Sequence, residues 1–395
     1  MKKLFLPISA LMALSVATSA QKARIFAITG DVKGNVNWNS VREIKGSDGS
    51  IKSTLYSPST AAKTTLSYQS LANRNKSPNG EAAFSAIAAT GFDAKTNRLY
   101  FTNMRGNTLN YVDLNEDNLT VVNNDDAAFN SGDKFKSEAN IITRMCFGAD
   151  GAGYALSNDA EHLIRFTTDS KPVVTNLGRL SDGVNNGDKS IHTSTTSWGG
   201  DIVGDAFGNL YLINMHSDVY KINTQRLVAD FVGSIKGLPE GFTTNGAAVN
   251  EDGDLVVSSA IYTDSYFKVD ISSLKVTGTV KSDGGVFNAS DLASSNLLYQ
   301  SKVASTTSIA ASDKVSIYPN PAVGKSFQLN VASAASGKFA LSVTDNKGRK
   351  VLENFTTSNE TLKVNLPKST PAGVYILKVT NAANQTVHTQ KIIVQ

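Results

Sequence analysis

A handful of residues in the middle of the sequence have side chains suited to holding a ligand. They are Asn103, Arg144, Asn158, Trp198, Asp201, Asn214, His216 and Asn245. An asparagine amide both donates and accepts hydrogen bonds, so a set of them can read a polar ligand. Trp198 precedes Gly199-Gly200 and offers a stacking face for a sugar ring, or else a buried anchor. His216 stands two residues before Asp218, a spacing that fits a base or a surface pair. Asn158, Asn214 and Asp201 supply the oxygens that a hard divalent cation such as Ca2+ takes. Asn250-Glu251-Asp252-Gly253-Asp254 resembles a calcium loop but lacks the closing glutamate, and reads as a hairpin turn. There is no Gly-x-Ser-x-Gly elbow, phosphate loop or His-Glu-x-x-His. Cys146 falls within a strand pattern and reads as core.

Composition bounds the rest. The chain has 395 residues, 41% hydrophobic and 18% charged, which supports a packed core rather than bulk disorder. Its formal charge of +4 comes from 38 basic and 34 acidic residues. That balance argues against an electrostatic nucleic-acid binder. A single cysteine allows no intrachain disulfide.

The N-terminus reads as an address. Lys2 and Lys3 precede an apolar run from Leu4 to Val16, then Ala17-Thr18-Ser19-Ala20. This is the layout of a signal peptide over residues 1–20, cleaved before Gln21. The run is shorter than the ~20 apolar residues of a membrane span. No later segment reads as transmembrane.

Residues 21–303 repeat. Each unit has a strand, a polar Asp, Asn or Gly turn, and a second strand ending in polar residues. The second strands carry Leu99, Tyr154, Leu210, Leu255 and Leu297, spaced 55, 56, 45 and 42 apart. Third and fourth strands follow, as in Val219–Asn223 and Lys275–Val280. Four short strands per period of about 40–50 residues is the pattern of a β-propeller. The first unit begins at its second strand, Arg24–Thr29, and continues through Val36–Ile44 and Ile51–Tyr56. The last offers a first strand near Ala289 and a second near Leu297–Ser301. One blade built from both termini would close the ring, and six blades are expected, with five as the other count that fits. The second strands end at Thr29, Asn103, Asn158, Asn214, Ser259 and Ser301, a polar ring that either lines a pocket or satisfies backbone groups. Ala61–Ala82 and Asn123–Asn140 read as polar insertions. The pattern resembles lactonase-like and NHL-like six-bladed propellers. In the lactonase type a divalent cation sits on inner-strand Glu, Asn and Asp residues, and no matching Glu is present here.

Residues 304–314 are rich in Ser, Thr and Ala and read as a linker. Residues 315–395 hold about seven alternating strands, enough for a small immunoglobulin-like β-sandwich. They open on Tyr318-Pro319-Asn320-Pro321, turn at Gly348, continue through Gly373-Val374-Tyr375, and end Lys391-Ile392-Ile393-Val394-Gln395. This set resembles the type A C-terminal sorting domain of the type IX secretion system of Bacteroidota. The resemblance implies passage through the periplasm and across the outer membrane, with the secretion machinery as partner. It also implies removal of the domain, with release or attachment at the cell surface.

The expected protein is all-β and secreted or surface-displayed. The propeller is expected to bind a carbohydrate or protein ligand without catalysis. A metal-dependent lactonase or hydrolase and a structural adhesion protein stand as alternatives.

Overall fold

The computed structural model describes residues 23–59, 67–70, 76–77, 84–104, 108–116, 119–124, 126–130, 137–300, 315–331, 339–357, 361–380 and 386–395. The expected signal peptide and linker lie outside these residues.

The repeat folds into five β-sheets whose inner strands touch in a closed cycle. The inner strands are Ala289–Ser294, Ile87–Asp93, Ile142–Phe147, Asp201–Gly204 and Gly246–Val249, for blades 1 to 5. Blade 1 combines the two ends of the ring. Ala289–Ser294 pairs antiparallel with Ile25–Thr29, which continues outward to Ser40–Ile44 and Ile51–Tyr56. Closure through both termini therefore holds, but with five blades rather than six. Leu297–Gln300 is not a second strand. Leu298 forms a single parallel bridge with Asp205 and ends under blade 4. That leaves Ile25–Thr29 alone to fill the second position of blade 1. Ser67–Ser70 and Lys76–Ser77, within the polar insertion, extend the outer edge of blade 2.

The polar residue of each repeat has a local cause. At the inner hairpins, Asp93, Asp150, Asp205 and Asn250 accept the backbone N–H two residues on, at 2.9, 3.2, 2.9 and 3.0 Å. Asp48, Asp113, Asn223 and Asp270 do the same at outer hairpins. These are Asx turns, which short Asp and Asn side chains favour. Asn250–Asp254 is thus a hairpin turn, as its sequence suggests.

Apolar faces pack between blades. Phe26 of blade 1 meets Phe92 of blade 2 at 4.7 Å, and Tyr100 of blade 2 meets Phe147 and Phe166 of blade 3. The axis is tight. A Cβ on Gly204 would lie 2.6 Å from the Phe147 carbonyl oxygen, and one on Gly246 would lie 2.7 Å from the Leu292 nitrogen. Small residues let five inner strands converge.

The C-terminal unit is a sandwich of a three-stranded and a four-stranded sheet around Phe327, Leu341, Val343, Leu377 and Ile392. Asn320 of the opening motif donates to the Lys391 carbonyl and accepts from the Ile393 N–H, both at 2.9 Å. The first and last motif elements are therefore one contact. Tyr375 donates to the Pro371 carbonyl at 2.7 Å, and Gly348 takes φ +76° in the Asp345 turn. No described helix is long and apolar enough to cross a membrane.

Phe26 is fully buried at the seam between blades 1 and 2, on the strand that closes the ring. Phe26→Ala should destabilise the ring by about 3–5 kcal/mol, the usual cost of emptying such a site. Urea unfolding of the mature chain measures it; a loss under ~1 kcal/mol would contradict this closure.

Candidate functional site

The second strand of each blade ends on the face from which the connections between blades emerge; here it is the upper face. Six of the candidate residues converge at the boundary of blades 3 and 4 or beside it on the axis.

Arg144, on the inner strand of blade 3, is completely buried. Its Nε donates to the Gly199 carbonyl at 3.1 Å, and Nη2 donates to Ser197 and Gly199 at 2.8 and 2.9 Å. Nη1 donates to the Ser157 carbonyl at 3.1 Å. Burial pulls the guanidinium down to about 10, and the nearby Asp201 charge opposes that shift. Asn158 accepts the Gly199 N–H at 2.8 Å. Together Arg144 and Asn158 seat the segment Ser197–Gly200. Gly200 has φ +80°, and a Cβ there would meet the Ile213 carbonyl oxygen at 1.9 Å, so only glycine fits.

Trp198 sits in this seat, partly exposed, and its indole Nε1 has no partner among the described residues. The Trp198 carbonyl accepts the Met215 N–H at 3.4 Å. Asn214 is buried, and its Oδ1 accepts the N–H groups of His216 and Asp218 at 3.0 and 2.9 Å. That shapes a turn which brings His216 back to the same loop, with Nε2 3.0 Å from the Thr195 carbonyl oxygen. His216 does not pair with Asp218; Lys189 does, at 2.8 Å.

The other candidates lie elsewhere. Asn103, on blade 2, donates to the Ser85 carbonyl at 2.8 Å and accepts from Asn110 at 3.1 Å. Asn245, before blade 5, accepts the Ala260 N–H and the Thr243 hydroxyl, both at 2.9 Å. Of the remaining strand-end positions, Thr29 donates to the Gly30 carbonyl and Ser259 accepts from Ile261. Ser301 lies outside the described residues. The oxygens of Asn158 and Asn214 that could face a cation are turned to backbone N–H groups, as are both of Asp201.

Asp201 belongs to the axis, not to the loop seat. It is fully buried and accepts from Ile202 at 2.7 Å, from Ala247 of blade 5 at 2.8 Å, and from Leu292 of blade 1 at 3.5 Å. Asp291 was not legible as a functional residue from local pattern. Also fully buried, it accepts the Thr90 N–H of blade 2 at 3.2 Å, and its Oδ2 has no partner among the described residues. A carboxylate in mid inner strand, between Ala289 and Leu292, was the available sign. Burial pushes both carboxyls well above their ordinary range, and the Asp201 charge pushes Asp291 further. Two carboxyls this deep on one axis do not both ionise.

Comparison with known proteins covers the two parts unequally. The secretion system C-terminal sorting domain family matches residues 316–395. These residues are a type IX sorting domain, and the chain is exported to the cell surface or beyond it. No curated protein matches the chain. Among solved structures it is similar to PorZ, a surface component of the type IX secretion system of Porphyromonas gingivalis. Identity is 14% over 94% of this chain and 51% of that one, with a TM-score of 0.31. The chain thus spans about half the length of PorZ. A protein of unknown function from Bacteroides thetaiotaomicron is similar at 14% identity over 69% of this chain and 70% of that one, TM-score 0.38. Virginiamycin B lyase from Staphylococcus aureus follows at 11%, over 78% and 85%, TM-score 0.31. The propeller rests on its own strand order, not on these likenesses.

The axial acids set a pH dependence. With folded-state values raised above the unfolded ~3.9, these two groups hold protons in the folded ring, so their contribution to stability falls as pH rises from about 4. Asp291→Asn keeps an acceptor for Thr90 and removes one titrating group. It should flatten the stability profile between about pH 4 and 8 and leave the protein no less stable at pH 8. Urea titrations at several pH values measure this; an unchanged slope would contradict it.

Proposed function

We propose that the propeller is the working part of an exported, non-catalytic binding protein, and that it takes a carbohydrate or protein ligand on its upper face beside Trp198. The observation that carries this reading is the seat itself. A fully buried arginine is committed to carbonyls of the loop segment that carries Trp198, with Asn158 and two left-handed glycines completing the hold. Such an arrangement fixes a partly exposed aromatic before any ligand arrives, and preorganisation of that kind lowers the entropic cost of binding. Tryptophan is also among the side chains that most often dominate binding hot spots. His216 adds a polar group on the same loop cluster. The sorting domain supplies the route by which this face meets the outside of the cell, and its removal after export belongs to the same proposal.

Two outcomes follow. On a glycan array and a panel of extracellular matrix proteins, the mature chain should bind at least one probe, and Trp198→Ala should weaken that binding about tenfold or more. Binding unaffected by the substitution would remove the upper face from the account. Cells expressing a chain truncated before residue 315 should retain it in the periplasm, as fractionation and surface protease treatment would show. Surface display of the truncated chain would contradict the sorting role.

A further inference from the structure

Between blades 2 and 3, away from the upper-face seat, lies a small cleft of about 100 Å3. Its aromatic wall is Tyr100 and Tyr111, with ring centres 5.1 Å apart. Tyr100 is only 4% exposed and is braced by Phe147 and Phe166 of blade 3, so it is a fixed floor. Tyr111 is half-buried beside it. The Arg98 guanidinium lies 4.8 Å from the centre of the Tyr111 ring and is paired with Asp113 at 3.0 Å. That cation is already neutralised.

The rim is polar. Asn124 comes from the outer strand of blade 2, while Thr167 and Asp169 come from the loop between the third and fourth strands of blade 3. Thr167 accepts the Val173 N–H, which leaves its hydroxyl proton to give. Asp169 is exposed and makes no ion pair or hydrogen bond among the described residues.

We infer that this cleft binds a neutral, hydroxylated ring, the pyranose of a saccharide. The half-buried Tyr111 ring, beside the Arg98 guanidinium, offers such a ring an apolar contact at the cleft wall. Asp169 is acceptor-only and takes ligand hydroxyl protons, while Asn124 and Thr167, whose oxygens already accept the Asp126 and Val173 N–H groups, offer donors. A free carboxylate at the mouth and an arginine already paired disfavour an anion. An unsubstituted hydrocarbon would leave the polar rim without partners. The inference goes beyond the upper-face reading and does not depend on it.

Saturation-transfer NMR on the full mature chain tests it, with maltose, cellobiose, lactose and N-acetylglucosamine as probes. At least one should show saturation of its ring protons. Tyr111→Ala should weaken that binding about tenfold, a change of about 1.4 kcal/mol. Asp169→Ala, on an exposed loop where folding is not at stake, should weaken it as well. Val184→Ala, at a fully exposed position outside both sites, should leave it unchanged. No saturation with any of the four probes, or saturation that survives both cleft substitutions, overturns the inference. Saturation lost only in Trp198→Ala moves the sugar to the upper face; it overturns the cleft while supporting the other site.

Discussion

Five inner strands converge on one axis, and each presents an unpaired backbone edge there. An unpaired N–H buried away from water is costly. In an open sheet the edge faces solvent; in a ring this small it faces other strands. Asp201 and Asp291 answer that constraint. Their carboxyls take N–H groups from blades 5, 1 and 2, so hydrogen bonds cross blade boundaries where no strand ladder can. Ser294 does the same for Val249 at 2.9 Å. The solution requires two acids at great depth, and glycine at 204 and 246, where backbones of neighbouring blades meet. The composition of the inner strands follows from it.

The upper face inherits this arrangement. Arg144 lies on an inner strand and feels the charge of Asp201, yet its hydrogen bonds all go outward to carbonyls, three of them in the loop over blades 3 and 4. One buried cation therefore links the axial polar cluster to the position of Trp198. The sorting sandwich uses a smaller version of the same device. Asn320 mimics a backbone pair against the final strand, so the opening motif and the C-terminus hold each other.

Much of the architecture was legible because its causes are local. Asx turns demand Asp or Asn at set places, so the repeat shows in the sequence. The sorting motif was legible because Asn320, Gly348 and Tyr375 each meet a specific backbone requirement. What was not legible depends on distant partners. Leu297-Leu298-Tyr299 has the composition of a strand, but Leu298 bridges Asp205 instead, and the blade count turned on that. The asparagines at strand ends share a position in the repeat, yet only contacts separate shaping a turn, as Asn214 does, from seating the loop that carries Trp198, as Asn158 does. His216 and Asp218 are close in sequence and face different partners. Asp291 gave little local sign, since its partners come from another blade.

The central claim is that Trp198 stands on a preorganised ligand face. The chain has two tryptophans, and the other, Trp38, is buried in the core between blades 1 and 2. In a Trp38→Phe background, indole fluorescence reports on Trp198 alone. Titration with the tightest array probe should shift or quench that emission with the same midpoint as binding measured calorimetrically. Saturable binding that leaves Trp198 emission unchanged would contradict the account.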